Sequence, residues 1–256
     1  MTGFIDTHSH LNDKAYCEDA HETINRALKA GVFKILLPDI DSTERDSLFS
    51  ICEKYKNVLY PMLGLYPGSV DENWESEIDK MMQYTDHQIV AIGEIGLDYH
   101  YSSDTAGLQQ EALIRQFEIA AKLDLPVNIH LRDATDDFFK VMDICRHLGL
   151  RGNLHAFSGS YEIFQRLQKY GEWYVGIGGV VTFKNSHISE SVKKIPLERI
   201  ILETDSPYLT PVPYRGKRNE SSYIPLIAEK IALLKNISIE EVAAATTHNA
   251  TTLFRI

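Results

Sequence analysis

Phe4-Ile5-Asp6-Thr7-His8-Ser9-His10 is a short apolar run that closes on a His-x-His pair. The same plan recurs along the chain. Glu94 closes Val90-Ala91-Ile92-Gly93-Glu94, and His130 closes Val127-Asn128-Ile129-His130. His155 closes Gly152-Asn153-Leu154-His155, and Asp205 closes Ile200-Ile201-Leu202-Glu203-Thr204-Asp205. Each run has the length and composition of a strand, and each is followed by a loop and then a helical pattern. Parallel, neighbouring strands bring all six side chains to one end of a sheet. Four imidazoles and two carboxylates meeting there make a divalent-metal site.

Working outward, strand candidates begin near Phe4, Lys34, Val58, Val90, Val127, Arg151, Tyr174 and Ile200. Helical spacing fills the gaps, as in Leu108, Ala112, Leu113, Phe117, Ala120 and Ala121, which form one apolar stripe. Strand–helix alternation implies right-handed parallel crossovers. About eight such units predict an α/β fold, a single (β/α)8 TIM barrel spanning residues 1–256, with an open doubly wound sheet as the other solution. Gly31, Gly149 and Gly171 each follow basic residues at a helix end. Ser238 and Glu241 form a capping box that opens a last short helix. The stretch from Thr210 to Asn219 is the longest irregular segment, and it is expected over the open end of the barrel.

A chain of 256 residues with 44% hydrophobic content can bury one large core. No apolar run approaches the roughly 20 residues of a membrane span. Met1-Thr2-Gly3 leads straight into a strand, which leaves no room for a signal peptide. The odd set Cys17, Cys52 and Cys145 reads as reduced thiols of a cytoplasmic protein, which is expected to be a monomer. The net charge of -10 argues against broad binding to duplex nucleic acid, and fits a small or loosely held substrate.

Two histidines in an extended strand at i and i+2 point to the same face, which in a closed barrel is the interior. A buried Glu94 needs cations or donors, and a bidentate carboxylate can bridge two metals. His8, His10 and Asp205 then serve a first ion, and His130 and His155 a second. Asp205 is read as ligand and proton acceptor. Glu203, one layer deeper on the same face, is read as a support for a liganding imidazole. His21, His87, His100, His147, His187 and His248 fall in helical, loop or terminal contexts and are left out of the site.

Taken in order, these segments resemble the TatD-type metal-dependent deoxyribonucleases of the amidohydrolase superfamily. The resemblance rests on Phe4 through Leu11, Gly93 through Tyr99, Pro126 through Ala134, His155 through Gly159, Glu203 through Leu209 and Pro211 through Glu220. It implies a barrel with two divalent metals (magnesium, manganese or zinc) and phosphodiester hydrolysis on DNA. It implies the same ligands: His8, His10, Glu94, His130, His155 and Asp205. One departure stands out. Members of this family usually carry Gly-x-His-Pro after the third strand, whereas here Gly64-Leu65-Tyr66-Pro67 places Tyr66 at the histidine position. Tyrosine can donate a hydrogen bond to phosphate but cannot shuttle a proton at neutral pH.

The expected reaction is attack of metal-activated water on phosphorus, with Glu94 and Asp205 as catalytic carboxylates and Asp205 taking or orienting the proton. Arg132, Arg215, Lys217 and Arg218 are the candidates for holding phosphate, with Tyr66 and Tyr208 available for stacking. The expected substrate is DNA, attacked exonucleolytically at single-stranded ends, or a small phosphodiester. The rival within the superfamily is hydrolysis of ester or amide bonds, as in an aminoacyl-tRNA deacylase. Related amide hydrolases often place a carboxylated lysine where Glu94 stands, which points away from them.

Overall fold

The computed structural model describes residues 3–256. Met1 and Thr2, and with them the expectation about a leader segment, lie outside the described residues. Eight parallel strands follow the chain: β1 (Phe4–Asp6), β2 (Val32–Leu37), β3 (Leu59–Pro61), β4 (Ile92–Asp98), β5 (Val127–Arg132), β6 (Gly152–Leu154), β7 (Tyr174–Ile177) and β8 (Ile200–Leu202). They pair in sequence order as β1-β2-β3 and β4-β5-β6-β7-β8. Backbone bonds join the two sets at both seams. Val90 donates to Pro61 at 3.0 Å and Gly93 to Leu63 at 3.0 Å; Thr7 donates to Leu202 and Asp205 to His8, both at 2.9 Å. The result is the TIM barrel the alternation predicts.

The helices are α1 (Ala20–Lys29), α2 (Arg45–Lys54), α3 (Trp74–Met82), α4 (Ala106–Leu123), α5 (Thr135–Ile144), α6 (Tyr161–Leu167), α7 (Ile188–Lys194), α8 (Ile224–Lys235) and α9 (Ile239–Phe254). The main core fills the space between strands and helices, with Val32, Ile35, Ile92, Ile95, Val127, Ile129, Val175 and Ile200 facing outward into it. A second cluster sits inside the barrel, where Ile5, Leu36, Met62, Ala91 and Ile201 meet Ala250, Leu253 and Phe254 of α9. The last helix is therefore not short. It runs 16 residues and plugs the bottom of the barrel, opening at the Ser238–Glu241 capping box, whose two bonds measure 3.2 and 2.9 Å.

Period-two alternation positions the layer above this plug. Ile201 points inward, so Glu203 does too; Val127 and Ile129 point outward, so Asn128 and His130 point inward. Gly176 is needed here, because a β-carbon on it would run into the Glu203 carboxylate. Among the described residues, no helix is long and apolar enough to cross a membrane.

Candidate metal centre

Two departures from regular strand aim the ligands. β1 ends at Asp6, so His8 and His10 lie just beyond it and not within a strand. Ser9 between them still makes an isolated parallel bridge with Ser206, which keeps the pair on one face. The buried Asp6 carboxylate ties this segment to the end of β8. It accepts from Thr204 N at 3.0 Å, Thr204 Oγ1 at 2.6 Å and His8 N at 3.3 Å.

Glu94 does not end its strand as the sequence suggests. It is the third of seven residues in β4, at a bulge. Ile92 pairs with Val127 and Ile95 with Ile129, so three steps on β4 face two on β5. The extra residue turns Glu94 inward while both isoleucines stay in the outer core. Asp39 grips the bulge through its backbone: its N–H donates to Gly93 O and its carbonyl accepts from Glu94 N, both at 3.1 Å. The Asp39 carboxylate is held in turn by buried Arg45 at 2.7 Å and Gly64 N at 3.2 Å.

The six ligand candidates converge. One oxygen of Glu94, Oε2, lies 3.2 Å from His8 Nε2 and 3.6 Å from His10 Nε2. Asp205 Oδ1 is 3.7 and 3.4 Å from the same two nitrogens. The other oxygen, Oε1, lies 2.9 Å from His130 Nδ1 and 3.0 Å from His155 Nε2. Metal–ligand bonds near 2.1 Å place neighbouring donors roughly 3.0 Å apart on an octahedron and roughly 3.4 Å on a tetrahedron. The observed spacings run from 2.9 to 3.7 Å, within or a few tenths of an ångström outside that range, so the donor set is of a size to hold divalent cations. Among the described residues, the groupings able to hold an ion draw on these six side chains alone.

The far sides of the imidazoles support this assignment. His8 Nδ1 lies 2.9 Å from Asn128 Oδ1, and Asn128 Nδ2 donates to Asn153 Oδ1 at 3.2 Å, which fixes the amide. His130 Nε2 lies 2.9 Å from Asp98 Oδ2. Each acceptor holds a ring N–H and leaves the opposite lone pair for a cation. Asn128 and Asp98 were missed in the sequence. Asn128 was legible by period two from His130, and Asp98, four residues beyond Glu94 and in phase with it, was legible in the same way, because the bulge lies between Ile92 and Ile95 and the pairing is regular from Ile95 to Asp98. Glu203 is fully buried and accepts from Ala156 N, but its Oε1 stands 3.8 Å from His155 Nδ1, beyond hydrogen-bond range. Burial pushes the Glu203 carboxyl well above the usual range.

Burial also drives the His8 imidazole down to about 4, which keeps it neutral and able to ligate. Burial alone would raise Glu94, yet the neighbouring His155 and His8 imidazoles and the bonds from His130 and His155 hold its carboxyl well below the usual carboxylate range. For His130, burial is outweighed by Asp98 and Glu94, and the imidazole rises to about 9.

A cavity of about 600 Å³ opens above these ligands, and Tyr66, Arg132 and Tyr208 line it. The Tyr66 hydroxyl donates to Asp98 Oδ2 at 3.3 Å. The structure does not bring the other three basic candidates to this wall. The loop after β8 lines the cavity only at its start, with Tyr208 and Leu209. Arg215 lies over the Phe183 ring at 4.1 Å and Lys217 over Tyr214 at 5.5 Å. Arg218 is turned away and bonded to Asp19 at 2.8 and 2.6 Å, so its charge is already spent within the fold.

Barrel and site together define a metal-dependent hydrolase. The chain belongs to the family described as TatD related DNase, which it matches over residues 5–255. It is 39% identical over 254 residues to a Bacillus subtilis protein described as the uncharacterized metal-dependent hydrolase YabD, covering 98% of this chain and 99% of that one. It is 33% identical over 265 residues to a Danio rerio protein described as a putative deoxyribonuclease, covering 98% and 97%. The crystal structure of the TatD homolog YjjV from Escherichia coli superposes with a TM-score of 0.90 at 29% identity, covering 100% of both chains.

Proposed function

We propose that this chain hydrolyses phosphodiester bonds of DNA, working from single-stranded ends with two divalent ions held between its histidine pairs. The carrying observation is the split of Glu94, whose two oxygens face two separate pairs of imidazoles. The family description and the name of the zebrafish relative support the substrate. When bound, such an ion pair lowers the pKa of water and neutralises charge on a phosphoryl group.

The chain's own groups do the rest. Asp205 stands beside His10 with its carboxylate partly open to the cavity, placed to accept a proton from the attacking water. Asn128 and Asp98 hold imidazole orientation. Arg132 is the phosphate partner on the cavity wall, and the exposed Tyr208 ring is available to a base. Arg215, Lys217 and Arg218 have no part in this reading. All six ligands come from one chain, so the working unit is a monomer, and the unpaired cysteines suit the cytoplasm.

The test pairs substrates. Purified protein with manganese is given a single-stranded oligonucleotide, an internal duplex site, an aminoacyl ester and a cyclic amide, before and after chelation. The expected outcome is chelator-sensitive release of nucleotides from single-stranded ends. Faster hydrolysis of the ester or the amide would overturn the proposal.

A further inference from the structure

The mouth of the cavity carries opposite charges on opposite sides. Asp13 lies in the loop after β1 and Glu44 in the loop after β2, whereas Arg132 ends β5. All three line the cavity. With strands in ring order, β1 and β2 stand across the mouth from β5, and the metal ligands lie between. Among the described residues, Arg132 is the one arginine or lysine on the wall, and Asp13 and Glu44 are the wall's acids apart from Glu94 and Asp205. Asp13 Oδ1 accepts from Ala15 N at 2.6 Å. Among the described residues, neither Asp13 nor Glu44 has a basic side chain in ion-pair range, so their charges act on whatever enters. On the opposite rim, the Arg132 guanidinium lies 5.5 Å from the centre of the Tyr101 ring, and Tyr101 is 88% exposed.

A substrate that crosses this mouth is polarised by it. A phosphate beyond the reacting bond is attracted at the Arg132 rim and repelled at the Asp13–Glu44 rim. Carboxylates there can accept hydrogen bonds from hydroxyls. Resting on the phosphodiesterase reading above, we propose that Asp13 and Glu44 select the substrate's end: an end with a free hydroxyl lodges against them, a phosphorylated end is refused, and the chain leaves over Arg132 and Tyr101. Two carboxylates facing a terminal phosphate several ångströms away, screened by salt, discriminate by about tenfold.

The experiment uses one single-stranded oligonucleotide made with hydroxyls at both ends, with a 3′-phosphate, or with a 5′-phosphate. kcat/KM is measured for the wild type and for Asp13→Asn/Glu44→Gln. Asparagine retains the acceptor for Ala15 N–H, and each single variant repeats the test if the double variant fails to fold. One of the two phosphorylated substrates should be cut about tenfold more slowly by the wild type. That ratio should fall to within twofold in the double variant, while Arg132→Gln raises KM and leaves the ratio unchanged. Equal rates on all three substrates, or an undiminished ratio in the double variant, would overturn the selection and leave diester hydrolysis standing. Bis(p-nitrophenyl) phosphate, which has no terminal phosphate, separates the other failure. If neither it nor any oligonucleotide is cleaved, the phosphodiesterase reading fails and the selection falls with it.

Discussion

Replacing Asp98 by alanine should weaken one metal position and spare the other. Asp98 touches His130 alone among the ligands, at 2.9 Å, and lies at the buried end of β4. Its removal frees His130 to rotate and leaves the Tyr66 hydroxyl and His100 N–H without their acceptor. Loss of a carboxylate behind a liganding histidine costs about 10–100-fold in metal affinity, or roughly 1.4–2.7 kcal/mol. His8 instead rests on Asn128, which is untouched. Calorimetric titration of the metal-free protein with zinc should therefore show two events in the wild type. In Asp98→Ala one event should weaken by that factor and the other stay within twofold. Asp98→Asn, which keeps one acceptor oxygen, should fall between. Two unchanged affinities would refute the assignment of Asp98, and an equal loss at both positions would mark it as merely structural.

Asp205→Asn should lower turnover on a single-stranded oligonucleotide by orders of magnitude with a smaller change in substrate binding; near-normal turnover would remove Asp205 from proton transfer. Because the His130 imidazole titrates near 9, a proton must leave it when an ion binds at lower pH. Affinity at that position should rise about tenfold per pH unit from 6 towards 9 and then level off; a flat profile contradicts this. Gly176→Ala forces the buried Glu203 carboxylate to move. Overpacking of this kind costs about 1–3 kcal/mol, seen as a fall of roughly 2–12 °C in Tm, and an unchanged Tm would mean that Glu203 has room to relocate.

The barrel was legible because eight apolar runs alternate with helical stripes, and because inward-facing residues keep period two along β5, β6 and β8. The convergence of the six ligand candidates was legible for the same reason: His130, His155 and Asp205 sit where alternation puts them. Glu94 was found at the right place for an incomplete reason. Strict alternation from Ile92 to Ile95 is impossible with both in the outer core, and the bulge that resolves it depends on Asp39, 55 residues upstream. The role of Arg218 was hidden because its partner Asp19 lies far away in sequence, beside α1. The length of α9 was hidden as well, since Thr247-His248-Asn249 reads as a polar terminus, yet Asn249 is buried and holds the carbonyls of Leu197 and Ile200 at 2.9 and 2.8 Å. The split of charge across the mouth came only from the ring order of the strands.

The central claim is that one carboxylate serves two ions. Metal content of the purified chain, measured by mass spectrometry at a free zinc concentration that saturates the wild type, tests it most directly. The wild type should hold two ions per chain, His130→Ala one, and Glu94→Ala fewer than one, because one Glu94 oxygen faces each pair of imidazoles. Two ions retained by Glu94→Ala, or the loss of only one, would contradict the shared bridge.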